Sequence, residues 1–462
     1  MNLLGKTKNE FKIEPLAYPN TETFLQRCAN IYAGKPEWLN PDKNITTVNF
    51  AKSVCSEIAR LALLGTSITV DGSGRAEWMK EQVDKLFATM RQRLENGCAF
   101  GTIIVKPSDA NATLDVYFPD DFIVTDYQNG KIIGVVFRNV IFDSKKKKYY
   151  VRLEWQRFEG DKYIITNRCY LSNAPTGDGE SVPIDSTPWA GLAEEVEAAN
   201  VEQPLFGVFK TPNANNIDLR SPLSLPVFAD ALEELRALDI AFSRNAKEIE
   251  DSKRIVLLDS DSMLMGNGAA KGTLSPNALT RTREALDLPD YVRNVRGDGA
   301  AMFYQEINPT LQTETRQSGI NALLSQIGFK CGFSNGYFVF NEKTGMITAT
   351  QVESDDRRTI QLIDDVREGL KHCVDGVCYA LDKFADAYNL APVGAYEITY
   401  NFEDITYNFE EDRARVWGQV IAGKFPYWRY LVKFEGYSED EAKEIVSETE
   451  ISQTLYDTLK DA

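Results

Sequence analysis

Histidine is almost missing from this sequence. Among 462 residues there is one, His372. A histidine-built zinc site is therefore excluded, and any Ser-His-Asp or Cys-His centre would have to use that single residue. It lies in Leu370-Lys371-His372-Cys373-Val374, inside a helical pattern, and reads as a helix-face residue. Cys373 and Cys378 nearby do not complete a ligand set, so no metal is expected. Long apolar runs are missing too. The best, Cys98 to Val105, is short and contains Gly101 and Thr102, well below the roughly 18 residues of a membrane span. Met1-Asn2-Leu3-Leu4-Gly5-Lys6 shows no apolar leader core. The expectation is a protein that neither crosses nor binds a membrane and is not secreted by the signal-peptide route.

Cysteine pairing signals are absent as well. The seven cysteines, Cys28, Cys55, Cys98, Cys169, Cys331, Cys373 and Cys378, are odd in number and irregular in spacing, and none forms CxxC. They are expected to be reduced thiols in a reducing compartment, most of them buried. Positive charge is in short supply: 51 Lys and Arg stand against 68 Asp and Glu, a net charge of −17. Proteins that grip phosphates electrostatically show the opposite balance, so stable wrapping of nucleic acid is disfavoured. Contact with DNA that must slide and not stick stays open.

What is present is an ordinary folded composition, 43% hydrophobic and 26% charged. The length suggests about three domains. No segment carries a catalytic fingerprint. Gly266-Asn267-Gly268-Ala269-Ala270-Lys271-Gly272 lacks the Ser/Thr and the spacing of a phosphate loop. Asp71-Gly72-Ser73-Gly74 reads as a linker between two helices. Adjacent acids recur at Asp120-Asp121, Glu233-Glu234, Asp355-Asp356, Asp364-Asp365 and Glu410-Glu411. A carboxylate pair could serve a glycosidase or a two-metal nuclease, but in so acidic a chain such pairs arise by composition and read as solvated faces.

The periodicities place helices at 45–64 and 76–95. Strands follow at Ala99 to Val105, Leu114 to Phe118, Phe122 to Tyr127, Ile132 to Phe142, Tyr149 to Phe158 and Tyr163 to Leu171, with turns at Gln128-Asn129-Gly130-Lys131 and Glu159-Gly160-Asp161-Lys162. Lys145-Lys146-Lys147-Lys148 falls at a third junction and reads as a solvated hairpin tip. Residues 172–200 form a surface excursion with one short helix at Leu192 to Ala199, and Leu205 to Lys210 is a further strand. Ser221-Pro222-Leu223-Ser224-Leu225-Pro226 is expected to open a long helix reaching Ser252, about 39 Å. A second helix spans 310–328. The insert between them begins with a strand at Arg254 to Leu258 and holds seven acids and seven bases over 253–308, so it is neutral inside an acidic chain. Then come a strand at Tyr337 to Phe340, a helix from Asp356 to Tyr388, a strand at Glu397 to Phe402 and a helical tail with 14 acids and 7 bases over 403–462. The class is α+β.

Three stretches carry a resemblance: Asn44-Ile45-Thr46-Thr47-Val48-Asn49-Phe50-Ala51-Lys52 through Leu64-Gly65, Ser221 to Lys253, and Phe338-Val339-Phe340-Asn341-Glu342-Lys343-Thr344-Gly345-Met346-Ile347-Thr348-Ala349-Thr350-Gln351-Val352-Glu353-Ser354 followed by Arg358-Thr359-Ile360. In these and in the order of elements the sequence resembles the phage portal proteins of the siphovirus minor-capsid type. The resemblance implies a non-enzymatic, cofactor-free ring of about twelve copies closed by a heterologous interface. The ring would sit at one capsid vertex and pass double-stranded DNA transiently along its axis. It implies a wing at 1–220 and 331–402, stem helices at 221–252 and 309–330, a small α/β clip at 253–308 and a crown at 403–462. A DNA-facing tunnel loop would include Asn341, Glu342, Lys343, Thr344, Gly345, Met346, Glu353 and Asp355, and a long tunnel helix would follow. Arg281, Arg283, Arg293 and Arg296 would dock the terminase and the head–tail adaptor. The major capsid or scaffolding protein would surround the ring, which assembles in the host cytoplasm and ends in the virion. Two other readings compete: an acidic α+β hydrolase using a carboxylate pair, and a different virion structural protein.

Overall fold

The structure, a computed structural model, describes residues 3–175, 179–198, 200–251, 255–259, 292–295, 304–307, 313–339, 349–402, 416–420, 424–432, 437, 441–443 and 445–446. The chain divides into two compact units, residues 1–63 with 68–400, and residues 64–67 with 401–462.

The first unit opens with α1 (Leu3–Phe11), α2 (Pro19–Tyr32) and α3 (Phe50–Ala62). The helix expected at 45–64 is the shorter α3; of the apolar face formed by Val48, Val54, Ile58 and Leu61, the last three are buried, while Val48 precedes the helix and is exposed. After β1 (Ser67–Asp71) come α4 (Gly74–Phe87) and α5 (Met90–Phe100). Two expectations are corrected here. Asp71-Gly72-Ser73-Gly74 joins a strand to a helix, and the Ser73 hydroxyl accepts from the Ala76 N–H to cap α4. The single helix expected at 76–95 is two, divided at Ala88 and Thr89, and the second runs on to Phe100. Gly101 ends it at φ +81°, with its backbone so close to the Ser224 carbonyl that no Cβ would fit. The β-branched run that followed Ala99 in the sequence is therefore split, and β2 (Thr102–Pro107) begins only after the glycine.

The main sheet is antiparallel: β4 (Phe122–Gln128), β5 (Lys131–Asp143), β6 (Lys148–Glu159), β7 (Lys162–Ser172) and β8 (Glu180–Val182) in order, with β9 (Glu195–Ala198) also on β7. The foreseen turns close the hairpins, with Asn129 and Gly130 both at positive φ between β4 and β5. Lys145 to Lys147 form the tip between β5 and β6. Both faces of the centre are covered. Val136, Val151, Leu153 and Tyr170 pack with Leu3 of α1. Val135 and Phe137, one residue out of phase, pack on the other side with Ile104, Tyr117 and Phe206. That second layer is an antiparallel sheet of β10 (Gly207–Lys210), β2 and β3 (Leu114–Tyr117). The helix expected at Leu192 to Ala199 is instead β9. Glu195 and Glu197 are exposed while Val196 and Ala198 are half-buried, a period of two and not 3.6.

The long helix expected to open at 222–226 starts later, as α6 (Leu232–Asp251) after a 3-10 turn at Ala229–Ala231. Pro222 and Pro226 hold the preceding segment extended, because proline biases the residue before it away from helix. Its carbonyls are taken by side chains: Thr211 donates to Leu225 O at 2.6 Å and Asn215 to Leu223 O at 3.0 Å. α7 (Thr313–Lys330) follows the insert, and α8 (Ala349–Tyr388) is the longest helix, 40 residues or about 60 Å. Ile363, Val366, Leu370, Val374, Val377 and Leu381 form its buried stripe. Helix and sheet approach backbone to backbone where α8 crosses β10: a Cβ on Gly376 would lie 2.8 Å from Gly207 Cα. Tyr337 and Phe338, expected in a strand, lie in turns. β14 (Glu397–Asn401) pairs with β1.

In the second unit the described residues include α9 (Tyr427–Tyr430) and a cluster of Val416 and Tyr430 with Val420, Phe425 and Tyr427. Trp417 meets Tyr430 at 5.0 Å between ring centroids.

Candidate functional site

The residues singled out for partner contact fall mostly outside the described residues. Arg281, Arg283 and Arg296 lie there, as do Asn341, Glu342, Lys343, Thr344, Gly345 and Met346. Glu353 and Asp355 belong to the first turns of α8. Arg293 belongs to β12 (Val292–Val295), where it stands opposite Leu257.

The elements that would position them are described. α6 and α7 are antiparallel, as two ion pairs show. Glu234 near the start of α6 meets Lys330 at the end of α7, 2.7 Å apart, and Glu248 near the end of α6 meets Arg316 near the start of α7. The pairs are 14 residues apart on each helix, about 21 Å, so the two helices run in step. The first half of α6 is fixed from the side. Asp239, 4% exposed, accepts from Trp38 Nε1 and from Val48 N, both at 2.8 Å, and Ser243 Oγ accepts from Thr46 N at 3.0 Å. Leu232, Leu235 and Leu238 are buried, whereas Ile249 is 59% exposed. Burial thus falls away toward the insert, and Ile249 is not the core residue that its helical spacing suggests.

Between the helices stands a three-stranded sheet. β11 (Ile255–Asp259) is central, parallel to β12 and antiparallel to β13 (Tyr304–Ile307). α6 leads within a few residues into the central strand, and an edge strand leads back toward α7. A parallel partner needs a crossover, and the chain between β11 and β12, residues 260–291, lies outside the described residues.

At the other end of α7, Phe333, Tyr337 and Phe338 form an aromatic cluster with Phe50 of α3. Phe338 lies 4.8 Å from Phe333 and 5.1 Å from Phe50 between centroids. Tyr337 donates its hydroxyl to Glu57, whose carboxyl is held below the usual range chiefly by its hydrogen bond from Arg60. Ser334 N donates to Thr359 Oγ1 at 2.9 Å, tying the exit of α7 to α8. The segment that leads to Asn341 is therefore clamped on its N-terminal side.

Sequence reasoning missed a buried charge cluster. Lys106 Nζ and Arg152 Nη2 both reach Glu154 Oε2, at 2.8 and 2.9 Å, with side chains 0%, 1% and 5% exposed. Gln156 donates to the other oxygen of Glu154 and accepts from Tyr163 Oη at 2.7 Å. Lys106 and its flanking cations hold the Glu154 carboxyl below its ordinary range against burial, and burial pushes Lys106 down. A signal existed: Arg152, Glu154 and Gln156 alternate with apolar residues along one strand.

The other candidates are structural. All seven cysteines are free and buried, and burial pushes Cys28, Cys331, Cys373 and Cys378 to about 12, which keeps them unreactive. His372 is exposed on α8, 3.5 Å from Glu368. The adjacent acids diverge: Glu233 lies near Arg27 at 3.7 Å, while Glu234 turns to Lys330. Among the described residues no group of three His, Cys, Asp or Glu is placed to hold a metal, and no helix is long and apolar enough to cross a membrane.

No family model and no curated protein matches the chain. Solved chains similar to it include one from the neck of an empty GTA particle computed with C6 symmetry, at 12% identity and TM-score 0.47, covering 91% of this chain and 95% of that one. A second, from the neck of a native GTA particle computed with C12 symmetry, has 12% identity, TM-score 0.44 and coverage of 91% and 94%. A third, from the virion of a native gene transfer agent particle, has 12% identity, TM-score 0.43 and coverage of 91% and 95%.

Proposed function

We propose that the protein is a portal: a non-enzymatic ring of about twelve copies at one capsid vertex of a phage-like virion, through which double-stranded DNA is packaged and ejected. The observation that carries this reading is the in-step antiparallel pair of α6 and α7 joined through the small β11–β13 sheet. In it α6 and α7 are the stem, 253–308 the clip, 1–220 and 331–402 the wing, α8 the tunnel helix and 403–462 the crown. Asn341 to Met346, together with Glu353 and Asp355 of the first turns of α8, face DNA. The net charge of −17 per copy suits a conduit, since a wall of that sign offers passing phosphates no tight minimum. The neutral clip, with Arg281, Arg283, Arg293 and Arg296, suits docking of a terminase and a head–tail adaptor. The outer wing meets the major capsid or scaffolding protein. Rings assemble in the host cytoplasm.

Native mass spectrometry of the purified chain tests the reading. Ring-sized oligomers are expected, with a central hole wide enough for a duplex in negative-stain images. Monomers and dimers alone under assembly conditions would reject it. Deleting 258–300 should leave the wing folded and abolish adaptor and terminase binding, and unchanged binding would reject the clip assignment.

A further inference from the structure

The main sheet has two open edges at the same level. β4 pairs with β5 only as far as Phe122, opposite Phe137, and the next residue of β5, Arg138, donates its N–H to Asp121 O at 2.7 Å. Hydrogen-bonding directions alternate along an antiparallel strand. Val140 and Phe142 therefore turn their backbone groups to the same outer side as Arg138, where no strand among the described residues receives them. On the far side of the sheet β8 is outermost. The registers run straight across: Val140 stands opposite Val151, Val151 opposite Tyr170 and Tyr170 opposite Ser181. The end of β5 and β8 are thus the two edges of one band, and they run in opposite directions because each step between them is antiparallel.

The edges are both exposed and differ in character. On β5, Val140, Ile141 and Phe142 are 37%, 40% and 54% exposed. The turn beyond them carries exposed Lys145 and Lys147, with exposed Lys148 opening β6. Asp143 fixes that turn by accepting from Lys145 N at 2.9 Å and Lys146 N at 3.1 Å. On β8, Glu180 and Ser181 are exposed and Val182 is half-buried, and exposed Asp185 follows. An exposed apolar edge is a template for a further strand.

We propose that β5 of one copy pairs with β8 of the next, so that the main sheets join edge to edge. This rests on the ring reading above and names the surfaces that close it. A heterologous ring needs two different patches on each copy, and opposite edges of one sheet supply them. A neighbour repeated across the sheet without reversal brings its β5 alongside β8 in the opposite direction, which gives antiparallel pairing. Backbone hydrogen bonds, with Val140 and Phe142, hold the contact. The lysine turn comes to the Glu180 end of β8, which favours this edge over a second β5, where the lysines would come beside Arg138.

Cysteine crosslinking of the full chain tests it, the native thiols being buried. Val140→Cys/Ser181→Cys, or Phe142→Cys/Ser181→Cys for the neighbouring register, should give on oxidation a ladder of multiples of the chain on denaturing gels, and each single variant only monomer. Val140→Pro removes an outward N–H and no bond to β6. It should keep the parent's melting behaviour and raise the concentration for half-assembly at least about tenfold, as read by native mass spectrometry. Monomer alone from both double variants in intact rings, a dimer from Val140→Cys alone, or unchanged assembly of Val140→Pro would overturn the edge pairing and leave the ring reading in place. A ladder without closed rings would support the pairing and reject the ring, and neither ladder nor ring would reject both.

Discussion

Replacing Glu154 by glutamine keeps its shape and removes its charge. Lys106 and Arg152, with side chains 0% and 1% exposed, lose the carboxylate that both reach within 2.9 Å. Breaking a buried pair from one side costs about 3–5 kcal/mol. The structure also sets a ceiling. Arg152 cannot give up its proton, but Lys106 can, and burial already pushes it down. Each pH unit between 7 and lysine's ordinary 10.5 costs about 1.36 kcal/mol, so this escape caps Lys106's share of the loss at about 4.8 kcal/mol. The cap has a signature. In the variant the folded state holds Lys106 neutral while the unfolded state still binds its proton, so stability rises with pH. Between pH 7 and 9 the variant should recover about 2.7 kcal/mol. The parent should change less, because Glu154 holds Lys106. Glu154's own contribution, with its folded pKa depressed, is fully present above the ordinary 4.5 and is lost only as pH falls through the lower folded value. Urea denaturation of the unassembled chain at pH 7, 8 and 9, followed through the fluorescence of Trp189 beside Arg152, measures both quantities. A loss below about 1 kcal/mol, or a loss that does not change with pH, would refute the assignment of a charged buried cluster.

Three further perturbations probe other parts of the fold. Gly207→Ala places a methyl group against the Cys373 carbonyl of α8; a loss of about 1–3 kcal/mol or more is expected, and an unchanged melting temperature would contradict the close crossing of α8 and β10. Glu234→Lys and Lys330→Glu should each loosen the α6–α7 pair and the double exchange restore it, with a coupling of about 0.2–1 kcal/mol for these partly exposed groups; a double-mutant cycle with no coupling would remove that register. Ring assembly of copies carrying −17 each should strengthen as salt shortens the Debye length from about 30 Å at 0.01 M to about 8 Å at 0.15 M, as read by sedimentation velocity; weakening with salt would show that opposite charges and not apolar faces hold the subunits together.

The β-rich half was legible because its signals are local. Asn129-Gly130 and Gly160 mark two turns, and the β-branched and aromatic residues of Lys131–Asp143 and Lys148–Glu159 mark the strands. The stripes of α3 and α8 were legible for the same reason. The errors occurred where a nonlocal contact decided the outcome. Pro222 and Pro226 suit a helix start as well as an extended arm, and only the waiting side chains of Thr211 and Asn215 select the arm. Ala99 and Phe100 carry β-strand neighbours in sequence, yet Gly101 cuts the run because the Ser224 backbone passes there. At Leu192 to Ala199 the alternation of exposed Glu195 and Glu197 with half-buried Val196 and Ala198 is too short a run to outweigh a helical reading, and pairing with β7 makes it a strand.

The candidate site divides along the same line. The order of helix, neutral insert and helix can be read from composition and periodicity. The direction of the second helix against the first cannot, because its contacts are distant in sequence: Glu248 and Arg316 are 68 residues apart, and Glu234 and Lys330 are 96. Two ion pairs with equal spacing on both helices supply that direction and the register together. Glu234 and Glu248 on α6 find their bases, Lys330 and Arg316, on α7, whereas Glu233 and Asp239 turn to α2 and to the segment before α3. The Lys106–Arg152–Glu154 cluster was hidden for a related reason. Charges on a strand read as solvent-facing until a second layer is known to cover them, and that layer, β2 with β10 and β3, comes from residues that lie before and after the main sheet in the chain.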